Sequence, residues 1–129
     1  VTKTKIISSC TKEEMINSYD DTDLYTDYFI HSLIGKLRSE RAILVYLSDH
    51  GEALGENGIC LHASQSSATQ QTAGMVWMSA SYKADYPQKY EKAMQKRDKK
   101  MRTDFLFHSL LDAGGIDSQY KDYTLSIFR

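Results

Sequence analysis

Six apolar residues in unbroken succession, Ala42-Ile-Leu-Val-Tyr-Leu47, run straight into Ser48-Asp49-His50-Gly51-Glu52. A continuous apolar, β-rich run of this length, with charge before it and a polar turn after it, has the form of a strand buried on both faces. In open α/β sheets, ligands bind in the crevice outside the carboxyl ends of the strands, so Asp49 and His50 stand where a site is built. Carboxylate oxygen and imidazole nitrogen suit zinc, and coordination positions left open admit a phosphate oxygen. Gly51 lets the backbone turn sharply between the polar residues, and a further histidine follows in Leu61-His62-Ala63. On spacing alone, the same residues also read as a turn whose polar side chains cap a helix.

The rest of the chain supplies elements for an α/β layering. Residues 1–10 are a polar lead with an Ile6-Ile7 pair, and Thr11-Lys-Glu-Glu14 has the form of a capping box. A helix is expected from about Lys12 to Glu40. Met15, Ile16, Tyr19, Tyr28, Phe29, Ile30, Leu33, Ile34 and Leu37 recur along it at three- and four-residue steps, as a core-facing stripe does. Asp20, Asp21, Asp23 and Asp27 interrupt that stripe, but the turn glycine and closing glutamate of an EF-hand are absent, so they read as a solvated helix surface. A second strand is expected over Met75–Met78. Residues 50–73 form a connection much longer than the usual span of about 2–6 residues, and such loops are commonly functional.

After Pro87 comes a basic helical stretch, most simply a solvated face, with an anionic membrane surface as the other reading. Thr103-Asp104 should cap a short helix through Leu111, ended by Gly114-Gly115. His108 on that helix is expected to pack in the core, and Tyr120–Phe128 to form a strand.

Composition narrows the function classes. A chain of 129 residues, 41% hydrophobic, is enough for one domain or part of one. A formal net charge of −1 leaves no electrostatic footprint for nucleic acid. No apolar run approaches the roughly 18 residues of a membrane span, and no signal peptide opens the chain, so the segment is expected to be soluble. Cys10 and Cys60 match no zinc motif, and Cys60, between Ile59 and Leu61, reads as a small buried thiol.

The longer string Val-Tyr-Leu-Ser-Asp-His-Gly-Glu-Ala-Leu-Gly-Glu-Asn-Gly-Ile-Cys-Leu-His, residues 45–62, closely resembles the signature of the phosphoethanolamine transferases that modify lipid A, within the alkaline-phosphatase/sulfatase superfamily. The resemblance spans about residues 10–128. It takes in Asn17-Ser-Tyr19-Asp20 and Tyr25-Thr-Asp27-Tyr28 upstream, and Asp104-Phe-Leu-Phe-His108 downstream. It implies an α/β fold, a partial alkaline-phosphatase-like sheet flanked by helices, with residues 1–129 forming the C-terminal portion of a catalytic domain.

By the same resemblance, Asp49 and His50 bind the catalytic zinc, while Glu52 and His62 hold the donor headgroup or a second metal. The implied reaction moves phosphoethanolamine from phosphatidylethanolamine, through a threonine nucleophile, to lipid A or another envelope glycan. Splitting one hard transfer into two covalent steps is the general gain of such a route. The implied place is the periplasmic side of the inner membrane, with membrane helices ahead of the catalytic domain.

The family's nucleophile, and a glutamate and histidine that accompany it, have no counterpart here, so the segment alone is expected to be inactive. Ala63 stands where the family has glycine, Cys60 where it often has tyrosine, and Cys10 matches a cysteine whose disulfide partner would precede Val1. Two rival readings remain at this level. One is a sulfatase- or phosphodiesterase-type hydrolase fragment, and the other a non-catalytic, homo-oligomeric module with a vestigial metal site.

Overall fold

The structure, a computed structural model, describes residues 9–62 and 65–129. Residues 1–8 of the polar lead, together with Ala63 and Ser64, lie outside the described residues. The chain divides into two compact units, one comprising Val1–Gly35 with Val45–Met75 and the other Lys36–Leu44 with Val76–Arg129.

The first helix, α1 (Lys12–Leu37), begins where the capping box predicts. The Thr11 amide donates to Glu14 Oε2 at 2.9 Å and the Glu14 amide to Thr11 Oγ1 at 3.2 Å, so two amides at the helix start are satisfied reciprocally. The helix stops at Leu37, three residues before the expected end, and the Glu40 amide closes a turn on the Leu37 carbonyl. Met15, Ile16, Tyr19, Ile30, Leu33, Ile34 and Leu37 are half-buried, but Tyr28 and Phe29 are exposed, with Leu24 and Tyr25 beside them. The stripe is therefore covered at its two ends and open in the middle. The four acids lie exposed on this helix, as a solvated surface rather than a calcium loop.

Strands β1 (Ile43–Leu47) and β4 (Gly74–Met78) form a two-stranded sheet. The Ser48 amide donates to the Ala73 carbonyl and the Ser79 amide to the Ala42 carbonyl, both at 2.9 Å, which makes the pair antiparallel. Every residue of β1 is half-buried and none is fully buried. The expectation of a strand covered on both faces is thus corrected: β4 is its one sheet neighbour among the described residues, so an edge of the apolar run stays open and its residues remain part-exposed.

The long connection is folded. It holds a short hairpin of β2 (Ala53–Leu54) and β3 (Cys60–Leu61), paired Ala53 to Leu61 and Leu54 to Cys60, followed by α2 (Ser67–Gln70). Cys60 is exposed there rather than buried, because the edge of so short a hairpin has nothing packed over it.

In the second unit, Met78, Tyr82, Ala113, Ile127 and Phe128 make the core. They come from β4, α3 (Ala80–Asp85), α5 (Phe105–Ala113) and the C-terminal tail, while Ala93 of α4 (Pro87–Lys96) packs against them. The Ser79 hydroxyl caps α3 by accepting from the Tyr82 amide, and it accepts from the Ala42 amide as well, each at 3.1 Å. The end of α5 follows the glycine expectation. The Ile116 amide reaches the Leu111 carbonyl at 2.8 Å and the Gly115 amide the Asp112 carbonyl at 3.1 Å, with Gly115 at φ 65°. This is the Schellman pattern, in which the left-handed residue wants no Cβ.

Three expectations in this unit fail for local reasons. Asp104 does not cap α5 through its side chain, since its carboxylate pairs with Arg102 at 3.2 Å. His108 is half-buried rather than a core residue, and its Nδ1 accepts from the Asp122 amide at 2.9 Å. The tail is not a strand. It makes a 3₁₀ turn at Tyr123–Leu125 and then sinks Ser126, Ile127 and Phe128 into the core.

The tail is pinned by Asp112. Its carboxylate takes a two-pronged contact from the Arg129 guanidinium, 3.0 Å at each prong, and the Ser126 hydroxyl at 2.9 Å. Burial pushes the Asp112 carboxyl up, yet the hydrogen bonds from Arg129 and Ser126 outweigh that and hold it below the ordinary aspartate range.

Candidate metal centre

The site grows from the carboxyl end of β1. Ser48 closes the strand by exchanging bonds with Ala73: its amide donates to the Ala73 carbonyl, and its hydroxyl accepts from the Ala73 amide, both at 2.9 Å. The chain then leaves the sheet with Asp49 and His50. Asp49 Oδ1 accepts from the His50 amide at 3.0 Å, which folds the two side chains toward each other. His50 Nε2 and Asp49 Oδ2 are 3.7 Å apart. The other ring nitrogen, Nδ1, lies 3.0 Å from the Gly51 carbonyl, an acceptor only. A proton on Nδ1 is what that contact calls for, which leaves the Nε2 lone pair beside the Asp49 carboxylate.

Gly51 has a stricter reason to be glycine than a sharp turn. A Cβ there would stand 2.0 Å from the Ala68 carbonyl oxygen and 2.4 Å from that of Gln71. The α2 segment lies directly on this backbone, and the Gly51 amide donates to the Thr69 carbonyl at 3.1 Å. The short α2 is itself held by a capping box between Ser66 and Thr69.

Glu52 is anchored by the buried Ala53 that follows it. Its Oε1 lies 2.7 Å from His62 Nδ1 and 4.0 Å from His50 Nδ1. Its Oε2 is buried and finds no hydrogen-bond partner among the described residues. His62 reaches Glu52 because Leu61 takes φ 61°, a left-handed conformation uncommon for a leucine. The His50 and His62 rings sit 4.5 Å apart between centroids.

These side chains fit a divalent metal. One ligand atom each from His50, Glu52 and His62 lies within 4.8 Å of the others. Ligands of one tetrahedral zinc stand about 3.4 Å apart, given bonds of about 2.0–2.2 Å, so this trio would have to draw in slightly around a single ion. Asp49 Oδ2 and His50 Nε2, at 3.7 Å, need less adjustment. A buried carboxylate oxygen without a partner is unfavourable unless something charged or donating meets it, so Glu52 Oε2 marks a place for a cation or an ammonium group.

Of the four residues singled out from the sequence, His50, Glu52 and His62 thus come together in the first unit, while Asp49 meets His50 alone and lies outside that trio. His50 lies between two pairings, with Asp49 on its Nε2 side and the Glu52–His62 pair on its Nδ1 side. Residue types alone do not show the close approach at Gly51, the left-handed Leu61 or the part played by Tyr19. Burial first, then the charges of Asp23 and Glu52, push the Tyr19 hydroxyl above the ordinary tyrosine range, so α1 brings this phenol within the field of the site.

Comparison with known proteins gives the arrangement a family. The sulfatase family profile matches residues 2–116. Over 127 residues the chain is 38% identical to phosphoethanolamine transferase EptA of Escherichia coli K12, a match covering 91% of this chain and 23% of that protein. It is 42% identical over 79 residues to the Kdo(2)-lipid A phosphoethanolamine 7''-transferase of the same strain, covering 58% of this chain and 14% of that protein. The crystal structure of the soluble domain of lipooligosaccharide phosphoethanolamine transferase A from Neisseria meningitidis matches with a TM-score of 0.86 at 30% identity, over 98% of this chain and 40% of that one. The chain therefore spans about a quarter of the length of such full-length relatives. On these grounds the chain belongs to the sulfatase family, where it stands with the phosphoethanolamine transferases of the lipid A type.

Proposed function

We propose that this chain is the C-terminal portion of the catalytic domain of a zinc-dependent transferase. It would move phosphoethanolamine from phosphatidylethanolamine to lipid A or another cell-envelope glycan, at the periplasmic side of the inner membrane. The observation that carries the reading is the pinned His50 ring, whose Nδ1 faces the Gly51 carbonyl while Nε2 lies 3.7 Å from the Asp49 carboxylate. Metal-binding histidines are commonly fixed in this way by a backbone acceptor on the far nitrogen.

Zinc at Asp49 and His50 would supply Lewis-acid polarisation of a phosphoryl group and stabilise an attacking alkoxide. The attacking hydroxyl is assigned to a threonine outside these 129 residues. The residues of this chain position and neutralise. Glu52 offers its unpartnered oxygen to the donor's ammonium group, and His62, held on the other carboxylate oxygen, fixes the rotamer that keeps Oε2 turned inward. Asp49 remains open to solvent, where a lipid phosphate could reach it.

The test uses the full-length protein. Zinc content after dialysis is measured by elemental analysis for the wild type and for Asp49→Ala and His50→Ala, and lipid A from expressing cells is weighed by mass spectrometry. Expected are a loss of at least about a hundredfold in zinc affinity for either variant and a phosphoethanolamine increment on lipid A that both variants abolish. Zinc retention indifferent to both substitutions, or an increment that survives them, would overturn the assignment. Hydrolysis of phosphate or sulfate esters without transfer would move the reading to a related hydrolase.

A further inference from the structure

The second unit carries a surface for which the metal centre has no use. Residues 83–102 hold eight lysines and arginines against three acids, a net charge of +5 in a chain whose formal charge is −1. These cations do not all face one way. Lys89 and Lys96 turn inward, their ammonium groups donating to the backbone carbonyls of Asp112 and Ser126 respectively. Arg97 closes on Asp98 and Arg102 on Asp104. Lys83, Lys92, Lys99 and Lys100 are left exposed, with no carboxylate at ion-pair distance among the described residues.

Large apolar side chains lie among these lysines. Tyr90 and Met94, four residues apart, share one face of α4, with Tyr86 at the helix's N-cap, and the three are 40%, 46% and 37% exposed. Met101, in the turn beyond, is 45% exposed. The Lys83 ammonium stands 5.4 Å from the centre of the Tyr90 ring, so cation and aromatic face belong to one patch. Ala93, three residues beyond Tyr90, packs on the core, so the stripe lies along the flank of the helix's buried side.

A merely solvated face needs charge but no tyrosines or methionines. The buried centre of a protein interface is depleted of lysine. Lysines with aromatic and flexible apolar side chains, on a helix lying flat against its own unit, match the boundary between lipid headgroups and water. The cations are also crowded: burial first, then Lys99 and Lys92, push the Lys96 ammonium below the ordinary lysine range.

We propose that this face of α4 and the turn after it rest on an anionic phospholipid surface. The ammonium groups of Lys83, Lys99 and Lys100 meet lipid phosphates while Tyr86, Tyr90 and Met94 enter the headgroup layer. The inference does not depend on the transferase reading, and its test keeps the two apart by excluding metal.

The 129-residue chain is sedimented in EDTA with phosphatidylcholine vesicles that do or do not contain phosphatidylglycerol. Binding is expected only with phosphatidylglycerol, and it should weaken steeply as salt rises. The triple variant Lys83→Glu/Lys99→Glu/Lys100→Glu should lower the vesicle partition by about a hundredfold, since each cation at an anionic surface is worth about a fivefold change. Tyr90→Ser/Met94→Ser should lower it about tenfold at unchanged charge. Lys12→Glu/Lys36→Glu, on α1, should leave it nearly unaltered. Circular dichroism checks that each variant is folded, and neutral glutamine replaces glutamate where one is not. A wild type that ignores phosphatidylglycerol, binds phosphatidylcholine equally well, or binds heparin but no vesicle would overturn the proposal. So would a control variant that loses as much as the triple one.

Discussion

Glu52 and Asp112 are both carboxylates turned inward beside basic groups, and they do opposite things. Asp112 has 2% of its side chain exposed and spends both oxygens on Arg129 and Ser126, with Lys89 3.8 Å away. Glu52 is 22% exposed, spends one oxygen on His62, and keeps the other buried and unpartnered. A satisfied buried network rigidifies what it touches, while a half-satisfied one is costly and persists where a ligand completes it. Inward carboxylates thus divide by the oxygen left over: in the second unit none is, so the cluster is a lock, and in the first unit one is, so the cluster is a receptor.

The sharpest way to break the contrast is Asp112→Ala, which strands the Arg129 guanidinium and frees the tail. It should destabilise the second unit by about 3 kcal/mol, toward the low end for a broken buried pair because Arg129 can turn to water. Urea unfolding monitored by tyrosine fluorescence checks it, and a loss below about 1 kcal/mol would show that the lock is idle. Glu52→Gln should cost the apoprotein little by the same measure, since it removes a charge already lacking one partner.

Next in size is Gly51→Ala. The new methyl would meet the carbonyl oxygens of Ala68 in α2 and Gln71 just past it far inside van der Waals distance, so α2 must shift, at about 2 kcal/mol by analogy with overpacked cores. The stability loss should be accompanied by weaker zinc binding, measured by competition with a chromogenic chelator. Loss of stability at unchanged affinity would separate α2 from the site.

A smaller effect sharpens the receptor side. Zinc at ten times its dissociation constant should raise unfolding stability by about 1.4 kcal/mol in the wild type and by nearly nothing in Asp49→Ala or His50→Ala. Thermal melts with and without the metal read this directly.

The smallest expected effect is an acid dependence belonging to the lock. Because the Asp112 carboxyl is held below its ordinary range, its contribution is full above the unfolded-state value of about 4 and is lost as pH falls through the lower folded-state value. Between pH 2 and 4 the wild type should therefore lose stability more steeply with falling pH than Asp112→Asn, and parallel acid titrations by circular dichroism would show it or fail to.

What was legible beforehand was local. The capping box at Thr11 and Glu14 and the glycine pair after α5 rest on contacts within a few residues, and the strands expected at 42–47 and 75–78 rest on short apolar runs; each is found to within a residue. The four site residues were legible for a different reason, as a string that resembles a family signature. What periodicity could not reveal was which side of an element would be covered. Tyr28 and Phe29 keep the helical spacing of Leu33 and Leu37, yet they lie open because nothing among the described residues packs there. The tail carries β-forming residues, but Ser109, whose hydroxyl accepts from the Ile127 amide at 3.0 Å, and Asp112 draw it into a turn. No pattern within nine residues could announce partners that lie in another helix.

By itself, then, the amino-acid sequence determined where α1 starts and α5 stops, where the apolar strand ends, and that an aspartate, a glutamate and two histidines stand close behind it. Caps, periods and turns depend on neighbours along the chain, and those are written in order. The tertiary structure decided that the His50 ring is pinned through Nδ1, that Gly51 lies under α2, that Leu61 turns left-handed to bring His62 to Glu52, and that Asp112 rather than a sheet holds the C-terminus. Each of these depends on groups brought together across many residues, where close packing and the satisfaction of buried polar atoms, rather than local propensity, choose the conformation.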